Sequence, residues 1–442
     1  MESKSCFAAA PAAGSEGEGP AAAGPTQVRA QQKSMRGGRL NEALERLADY
    51  PFARLAALLS GVTPPEGVTP LAMSVGEPQH APPAFLAEIL AANADSWNRY
   101  PPVAGTPAFR EACAAWLQRR FRLPAGLVDP AHVLPLSGTR EALFLVAELA
   151  VDSRPGANQI PAVALPDPFY APYEGAAVMA GAEPVFLPAG PGTGFLPDLD
   201  ALEADSALLA RLRLLYLCNP TNPQGAVASP AYLDRAIGLA RAHGFILAAD
   251  ECYAEIYDRD PPTGVLEVAA GRDGGSLDNL LVFHSLSKRS NAAGLRSGFV
   301  AGDPALIAAF LRLRSHSAAG MPLPIQAASA ALWADDAHVV ANRALYRAKF
   351  DAAEAALGGR FGFRRPEGGF FLWLDVGDGE AAARRLWAEA AIRTLPGGYI
   401  TRLDRPEIGR RWLRIAVVHD AETVGRALTR VGEVLSGAEA AE

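Results

Sequence analysis

Short apolar runs alternate with helix-like segments from about Leu71 to Pro322. Five of the runs predict strands: His132–Leu136, Ala162–Leu165, Leu212–Cys218, Phe245–Ala249 and Leu280–His284. Between them, apolar residues recur at helical spacing in a segment opened by Pro107 and in another that runs from Leu233 to Ala240. Such alternation is typical of an α/β domain whose mostly parallel sheet lies between two layers of helices.

The 442 residues are too many for one simple core, so we expect two packed domains. The organisation that we predict is a disordered low-complexity tail at 1–36, an N-terminal arm that joins the small domain at 37–75, a large domain at 76–322 and a small domain at 323–442. The tail is rich in Ala, Gly, Pro, Ser and Glu without periodicity. The small domain contains the strand-like stretches Phe370–Asp375 and Trp412–Val418.

Composition and charge exclude several functional classes. The net charge of −7 is spread along the chain, unlike the basic patch of a nucleic-acid-binding protein. No apolar run approaches the roughly 20 residues of a membrane span, and the first residues lack a signal or transit pattern. The four cysteines have neither paired nor metal-ligand spacing. We therefore expect a cytoplasmic protein with no metal site, no membrane association and no nucleic-acid partner.

Lysine is rare enough in this chain for elimination to be informative. The chain has four lysines: Lys4, Lys33, Lys288 and Lys349. The first two lie in the tail, and Lys349, among charged residues, is predicted on a solvated helix face. Lys288 follows the apolar run LLVFH, where Arg289 and Arg296 would lower the pKa of its amine. A lysine with a lowered pKa is a nucleophile, so Lys288 is the candidate catalytic residue.

Other polar clusters also follow apolar runs, where ligands bind in parallel sheets. Ser137-Gly138-Thr139-Arg140 opens the helix EALFLVAELA and is either a helix cap or a phosphate site. Asp250 ends the run FILAAD and on its own would be a turn residue or a helix cap. The segments NPTNPQG and PFYAPY are a proline-rich loop and a proline-flanked aromatic loop, and either could serve packing alone.

Together these motifs resemble those of the class I and II aminotransferases, which are fold-type-I pyridoxal-phosphate enzymes. SLSKRSNAAGLRSGF resembles the lysine motif of the family, with a serine three residues before the lysine and an arginine eight after it. The phrases SGTR, PFYAPY, NPTNPQG and DECY follow the family's order, with Gln224 where the family usually has threonine. The resemblance extends from about Leu44 to the C-terminus. It implies a large α/β domain with a mostly parallel seven-stranded sheet between helices, and a smaller α+β domain. It also implies a pyridoxal 5'-phosphate cofactor held by Lys288 as a Schiff base.

The resemblance also implies how the cofactor is bound. The residues that it assigns to the phosphate are Gly138, Thr139, Arg140, Ser285, Ser287 and Arg296. Asp250 would pair with the protonated pyridine nitrogen, which keeps the ring an electron sink. Asn222 and Tyr253 would bind the phenolic oxygen, and Tyr170 would stack on the ring.

Substrate and dimer contacts follow from three further matches. Arg414 in RWLRIAVV resembles the arginine that binds the α-carboxylate of the substrate, beside Asn222. Gly76 in SVGEP resembles the glycine whose backbone approaches that carboxylate. Tyr100 resembles the tyrosine that reaches the phosphate in the neighbouring subunit, so a homodimer with a shared active site is implied.

Longer phrases, among them MSVGEPQHAPPAF, DECYAEIY and RRPEGGFFLW, resemble the bacterial N-succinyl-diaminopimelate aminotransferases. The substrates implied are N-succinyl-LL-2,6-diaminopimelate and 2-oxoglutarate in lysine biosynthesis, and Arg140 and Arg289 would bind the distal carboxylates. Another acylated or simple amino acid, such as N-acetylornithine or aspartate, stays open as the substrate. So do a fold-type-I lyase or decarboxylase, which would not exchange glutamate with 2-oxoglutarate, and a regulatory domain, which would need an attached DNA-binding module.

Overall fold

The computed structural model describes residues 40–152 and 159–437, so the expectation for residues 1–36 lies outside the described residues. Its α-helices are α1 Pro51–Leu59, α2 Phe85–Ala92, α3 Pro107–Phe121, α4 Thr139–Ala150, α5 Ala171–Met179, α6 Leu199–Ala204, α7 Ser206–Arg211, α8 Pro230–His243, α9 Val265–Ala270, α10 Leu286–Arg289, α11 Pro304–Ser317, α12 Leu323–Ala334, α13 Ala337–Leu357, α14 Gly379–Ala390, α15 Glu407–Arg410 and α16 Ala421–Ser436. Its strands are β1 Leu71–Ala72, β2 Val133–Leu136, β3 Ala162–Asp167, β4 Glu183–Pro188, β5 Leu212–Cys218, β6 Ile246–Asp250, β7 Leu280–Ser285, β8 Gly298–Gly302, β9 Phe371–Asp375, β10 Ile392–Arg393, β11 Leu395–Pro396 and β12 Trp412–Ala416.

The largest sheet confirms the predicted fold class. Its seven strands lie in the order β2-β8-β7-β6-β5-β3-β4, and β8 pairs antiparallel with both of its neighbours. The other pairs in this sheet are parallel. Gly298 at the start of β8 pairs with Leu136 at the end of β2 and with Ser285 at the end of β7. The chain therefore enters β8 at the edge where the parallel strands end.

The five predicted strands are all present, with bounds that differ by at most two residues and with β5 as predicted. The pattern missed β4 and β8. The edge strand β4, EPVFLP, contains two prolines, which lack the N–H of a regular strand. Strand β8, GFVAG, begins and ends with glycine, which is uncommon in strands. The predicted helices opened by Pro107 and running through Leu233 correspond to α3 and α8.

Two cores cover the two faces of this sheet. Leu215, Leu217 and Leu247 face the core formed with α3, α8, α9 and α12. Their chain neighbours Tyr216 and Ala248 face the opposite core, formed with α4, α5 and α11. Because both faces are covered, the strands are apolar at every position rather than at alternate ones.

A second, antiparallel sheet has the order β11-β12-β9 and packs with α13, α14 and α16 around its own core. The short strand β1 pairs parallel with β10. Helix α12 packs on α3, beside the larger sheet. The boundaries predicted for the two domains stay a prediction. None of the helices within 40–152 and 159–437 is long and apolar enough to cross a membrane.

Lys349, which was predicted on a solvated face, lies in the core, so that prediction is wrong. Its side chain is fully buried on α13, and its Nζ donates to the carbonyl oxygen of Val418 at 3.1 Å. The Nζ lies 4.0 Å from the centroid of the Tyr346 ring. Burial lowers the pKa of Lys349 to about 7, and Asp420 opposes this shift. The charged residues of α13 do not form one solvent-exposed face, because Arg343 forms an ion pair with Glu255, which is distant in the chain.

We expect Lys349→Met to increase the free energy of unfolding at pH 7 by about 1 kcal/mol, since it removes a costly buried amine but also a hydrogen bond. The ordinary lysine pKa is 10.5 and the folded value is about 7, so the cost of burial accumulates as the pH falls between these values. The advantage of the variant should therefore vanish near pH 10. Urea unfolding at both pH values tests this, and equal destabilisation at both would indicate a charged, well-paired lysine.

Candidate active site

The candidate catalytic lysine lies at the edge where the parallel strands end. Lys288 is on the short helix α10, directly after β7, and its Nζ donates to the carbonyl oxygen of Gly76. The Nζ also lies 5.1 Å from the centroid of the Phe370 ring. Burial, together with the positive charges of Arg414 and Arg296, lowers the pKa of Lys288 to about 8. The amine is therefore much easier to deprotonate than an exposed lysine.

An anion-binding arrangement surrounds the N-terminus of α4. Gly138 precedes this helix with φ of +81°, and a Cβ at this position would overlap the guanidinium of Arg296. Nη2 of Arg296 donates to the carbonyl oxygen of Ser137 at 3.3 Å, which holds the guanidinium over the turn. Because a helix N-terminus presents free N–H groups, the turn and the arginine together suit a phosphate.

Hydroxyl groups complete this arrangement. The Oγ of Ser285 donates to the Oγ of Ser287 at 3.0 Å and accepts from the N–H of Ser287 at 3.1 Å. The Oγ1 of Thr139 lies 3.1 Å from the Sγ of Cys252. Three hydroxyls, a guanidinium and a helix N-terminus form the donor set that the phosphate of pyridoxal phosphate requires.

Asp250 ends β6 with its carboxylate held by two donors. Oδ2 accepts from the hydroxyl of Tyr173 at 2.7 Å, and Oδ1 accepts from the N–H of Cys252 at 3.2 Å. Burial raises the pKa of Asp250, while the hydrogen bonds from Cys252 and Tyr173 lower it. The bond to Cys252 is the local turn that the sequence alone would predict, but the bond to Tyr173 is long-range and reaches α5.

Arg414 on β12 is a buried arginine whose partners are all neutral. Nη2 donates to the carbonyl oxygen of Ser74 at 2.9 Å, and Nη1 donates to Oδ1 of Asn222 at 3.2 Å. Its guanidinium lies 4.4 Å from the centroid of the Phe371 ring. Burial lowers the pKa of Arg414 to about 10, and its buried Nε has no hydrogen-bond partner among the described residues. An incoming carboxylate would supply the missing negative charge.

Arg140 lies on the first turn of α4, beside two tyrosines. Nε donates to the hydroxyl oxygen of Tyr170 at 2.7 Å, and Nη2 donates to that of Tyr50 at 3.2 Å. Burial raises the pKa of Tyr170 to about 12, although Arg140 opposes the shift. Tyr253 packs edge-on against the rings of Phe370 and Phe371, whose centroids are 5.3 and 6.0 Å away.

The structure brings most of the predicted site residues around one cavity of about 380 Å³. The predicted residues that line it are Gly76, Thr139, Arg140, Tyr170, Asn222, Asp250, Tyr253, Ser285, Ser287, Lys288, Arg296 and Arg414. Gly138 adjoins it beneath Arg296. Tyr100 does not line it and is fully exposed.

The lining residues that were missed from the sequence include Tyr50, Tyr173, Cys252 and Phe371. Cys252 lies within DECY and Tyr173 within PFYAPY, so both were inside recognised motifs. Tyr50 precedes α1, which is far from those motifs in the chain, and no sequence signal indicated it.

Arg289 does not belong to the cavity, and its predicted role in binding a distal carboxylate is wrong. Its side chain is buried and donates to the carbonyl oxygen of Leu332 at 2.5 Å and to Asp336 at 2.8 Å. It also lies over the rings of Trp116 and Trp333. The guanidinium therefore binds the junction of α12 and α13, because the helical turn after Lys288 directs the next side chain away from the site.

Comparison with known proteins places these features in a family. The model of the family "aminotransferase class I and II" matches residues 69–431. The 4-dedimethylamino-4-oxo-anhydrotetracycline transaminase OxyQ of Streptomyces rimosus is 38% identical over 83% of this chain and 94% of its own length. An LL-diaminopimelate aminotransferase of Desulforudis audaxviator is 32% identical over 88% of this chain and 96% of its own length.

Solved structures agree. An aminotransferase of Neisseria meningitidis has 39% sequence identity and a TM-score of 0.84, covering 90% of this chain and all of that one (100%). A "probable N-succinyldiaminopimelate aminotransferase" of Thermus thermophilus has 26% identity and a TM-score of 0.74, covering 83% of this chain and 95% of that one. This chain therefore belongs to the class I and II aminotransferases, the transaminases that use pyridoxal phosphate.

Proposed function

We propose that this aminotransferase acts on a long amino acid with carboxylates at both ends, namely N-succinyl-LL-2,6-diaminopimelate, with 2-oxoglutarate as amino acceptor. The observation that carries the proposal is that Arg414 and Arg140 line the same cavity, and neither forms an ion pair with a carboxylate of the described residues. One guanidinium would bind the α-carboxylate and the other a distal carboxylate. The similar structure from Thermus thermophilus is named as a probable N-succinyldiaminopimelate aminotransferase, which supports the acylated substrate.

Unacylated LL-diaminopimelate is the alternative that the relative from Desulforudis audaxviator favours. It too has two carboxylates, so the paired arginines alone do not separate the two substrates. Aspartate also has two carboxylates, whereas N-acetylornithine has only one and would leave one of the two arginines without a carboxylate partner. A lyase or decarboxylase would use the same cofactor residues without exchanging glutamate for 2-oxoglutarate.

A polycyclic ketone is a second kind of candidate substrate. A cavity of about 520 Å³ adjoins the first one and shares Tyr50, Pro51, Arg140 and Phe169 with it. Much of its lining is apolar and includes Phe144, Leu145, Pro172 and Leu403. The relative from Streptomyces rimosus is named for an anhydrotetracycline substrate. A bulky apolar acceptor would bury its rings in this second cavity.

In the catalytic cycle that we propose, each group of the chain has a separate task. Pyridoxal phosphate, when bound, supplies the electron sink that stabilises negative charge at the α-carbon of the substrate. Lys288 binds the cofactor through its amine, and its Nζ later accepts the proton from the α-carbon of the substrate. Asp250 holds the proton of the pyridine nitrogen, and Arg414 orients the amino acid by its α-carboxylate. The helix N-terminus at Gly138 and the guanidinium of Arg296 hold the phosphate.

The substrate is tested by single half-reactions, in which the absorption of the bound cofactor reports the gain or loss of an amino group. N-succinyl-LL-2,6-diaminopimelate should have a kcat/KM at least roughly tenfold above LL-diaminopimelate, N-acetylornithine, aspartate and alanine, as expected for one extra well-placed charged contact. A faster reaction with LL-diaminopimelate would transfer the proposal to the unacylated substrate. Reaction only with an aromatic polycyclic ketone, given to the amino form of the enzyme, would favour the second candidate.

Capture of the cofactor by the apoenzyme should accelerate as the pH rises through about 8. Only the neutral amine of Lys288 attacks the cofactor carbonyl, and the pKa of Lys288 is lowered to about 8, so the reactive fraction increases across that range. Stopped-flow absorbance of apoenzyme mixed with pyridoxal phosphate measures the rate. Lys288→Ala should bind the cofactor without the lysine-dependent band, and an unchanged band that borohydride still bleaches would contradict the assignment.

Arg414→Ala and Arg140→Ala should separate the two carboxylate sites. Loss of the α-carboxylate contact should reduce kcat/KM roughly 30- to 5000-fold for every amino acid, because such a contact contributes about 2–5 kcal/mol. Loss of Arg140 should reduce it for N-succinyl-LL-2,6-diaminopimelate and leave alanine within a few-fold. Arg402→Ala is the matched control, since Arg402 pairs with Asp404 outside the cavity and should change neither. Equal effects of Arg140→Ala on both substrates would contradict its distal role.

We also propose that the enzyme is a homodimer in which Tyr100 of one copy reaches the phosphate of the other. Tyr100 is fully exposed, and Trp97 beside it is more than half exposed, as expected for residues that a second copy covers. Tyr100→Ala and Lys288→Ala should each be poorly active alone. After joint refolding, about a quarter of the sites should regain activity, because half of the dimers are mixed and each has one intact site. No recovery, with mixed dimers present, would place Tyr100 outside the partner's site.

A further inference from the structure

We propose that Tyr173 is a positioning residue for Asp250, whose carboxylate it holds in the orientation and the charged state that the pyridine nitrogen of the cofactor needs. The inference rests on the role proposed for Asp250 and goes beyond it, because it assigns the control of that carboxylate to a second side chain. Tyr173 lies on α5, and its hydroxyl donates to Oδ2 of Asp250 at 2.7 Å.

The ring of Tyr173 is fixed from two sides. It stacks on the ring of Tyr216 from β5, with 4.4 Å between the centroids and 8° between the planes. The hydroxyl of Tyr216 bonds elsewhere, since it donates to the carbonyl oxygen of Leu143 at 2.6 Å. The second contact is with Tyr170, whose ring is nearly perpendicular to that of Tyr173, with 5.5 Å between the centroids and 85° between the planes. A hydroxyl on so constrained a ring has little freedom, so its hydrogen bond is preorganised.

The hydrogen bond also has a defined direction. Burial raises the pKa of Tyr173 well above its ordinary range, and the nearby charge of Asp250 raises it further. The phenol therefore stays protonated and can only donate to the carboxylate. With the N–H of Cys252 on Oδ1, the buried carboxylate of Asp250 has one donor on each oxygen.

Removing one of these donors changes the charge balance at the cofactor nitrogen. Burial by itself favours the neutral acid form of Asp250, and the hydrogen bonds from Cys252 and Tyr173 oppose that tendency. Without the hydroxyl of Tyr173, the pKa of Asp250 would rise and its carboxylate would take up a proton more readily. Asp250 would then hold the proton on the pyridine nitrogen less well. The pyridine would lose positive charge, and the bond between cofactor and Lys288 would keep its proton to higher pH.

The test compares the holoenzyme with its Tyr173→Phe and Tyr216→Phe variants. Each variant loses one buried hydroxyl and keeps the ring stack, so both lose comparable stability, but only Tyr173→Phe loses the bond to Asp250. We expect Tyr173→Phe to raise the pH midpoint of the visible band of the lysine-bound cofactor by roughly half a unit or more. It should lower kcat with glutamate about 10- to 100-fold with little change in KM. Tyr216→Phe should leave both quantities near the wild-type values.

A double variant separates this inference from the role of Asp250. In an Asp250→Asn background, Tyr173→Phe should produce no further shift of the midpoint, because the group on which it acts is gone. A full additional shift would overturn the inference, and so would equal shifts in Tyr173→Phe and Tyr216→Phe. A wild-type midpoint and rate in Asp250→Asn alone would instead overturn the role of Asp250. If Tyr173→Phe does not fold, 3-fluorotyrosine at position 173, a stronger donor, should shift the midpoint in the opposite direction, and an unchanged midpoint would overturn the inference.

Discussion

The common direction of the strands is the constraint on which the site depends. Strands β5, β6 and β7 are parallel, and β2 has the same direction because β8 is antiparallel to both β2 and β7. Their carboxyl ends therefore meet at one edge of the sheet, where the chain leaves regular structure and polar side chains can be accommodated. The reversed strand β8 begins at this edge, which is why Arg296 lies close to Gly138 although the two are far apart in the chain.

Burial of charge without an opposite charge is the second property of this edge. Arg414 is buried and Lys288 is partly buried, and burial lowers the pKa of each. Away from the site, by contrast, the buried Arg289 pairs with Asp336 at 2.8 Å and the partly buried Arg120 pairs with Glu255 at 2.7 Å. The site thus presents a cationic interior to anionic ligands, while the carboxylate of Asp250 is held apart by neutral donors.

Sequence was sufficient for the fold class and for the residues next to the strand ends, because both depend on local pattern. Apolar runs with no polar alternation predicted strands covered on both faces, and motif order led to Lys288, Asp250 and Arg414. Prediction failed where the decisive contacts are distant in the chain. Lys349 was misplaced because its neighbours are charged, although Val418 and Tyr346 enclose it. The side chain of Arg289 was wrongly assigned to the site because the sequence alone does not show in which direction a side chain on a single helical turn extends.

The two cavities share Arg140, Phe169, Ala171 and Arg296 near the sheet edge, and they also share Tyr50 and Pro51, which belong to the segment ahead of the sheet. Bond-making groups lie on the sheet edge, whereas the wall between the cavities is contributed in part by a short helix near the start of the described chain. A lineage can therefore change the ligands that it accepts by substitutions in this helix while the catalytic groups stay intact. Evolutionary divergence of substrate range can therefore act on the part of the wall that this helix supplies, separately from the groups that make and break bonds.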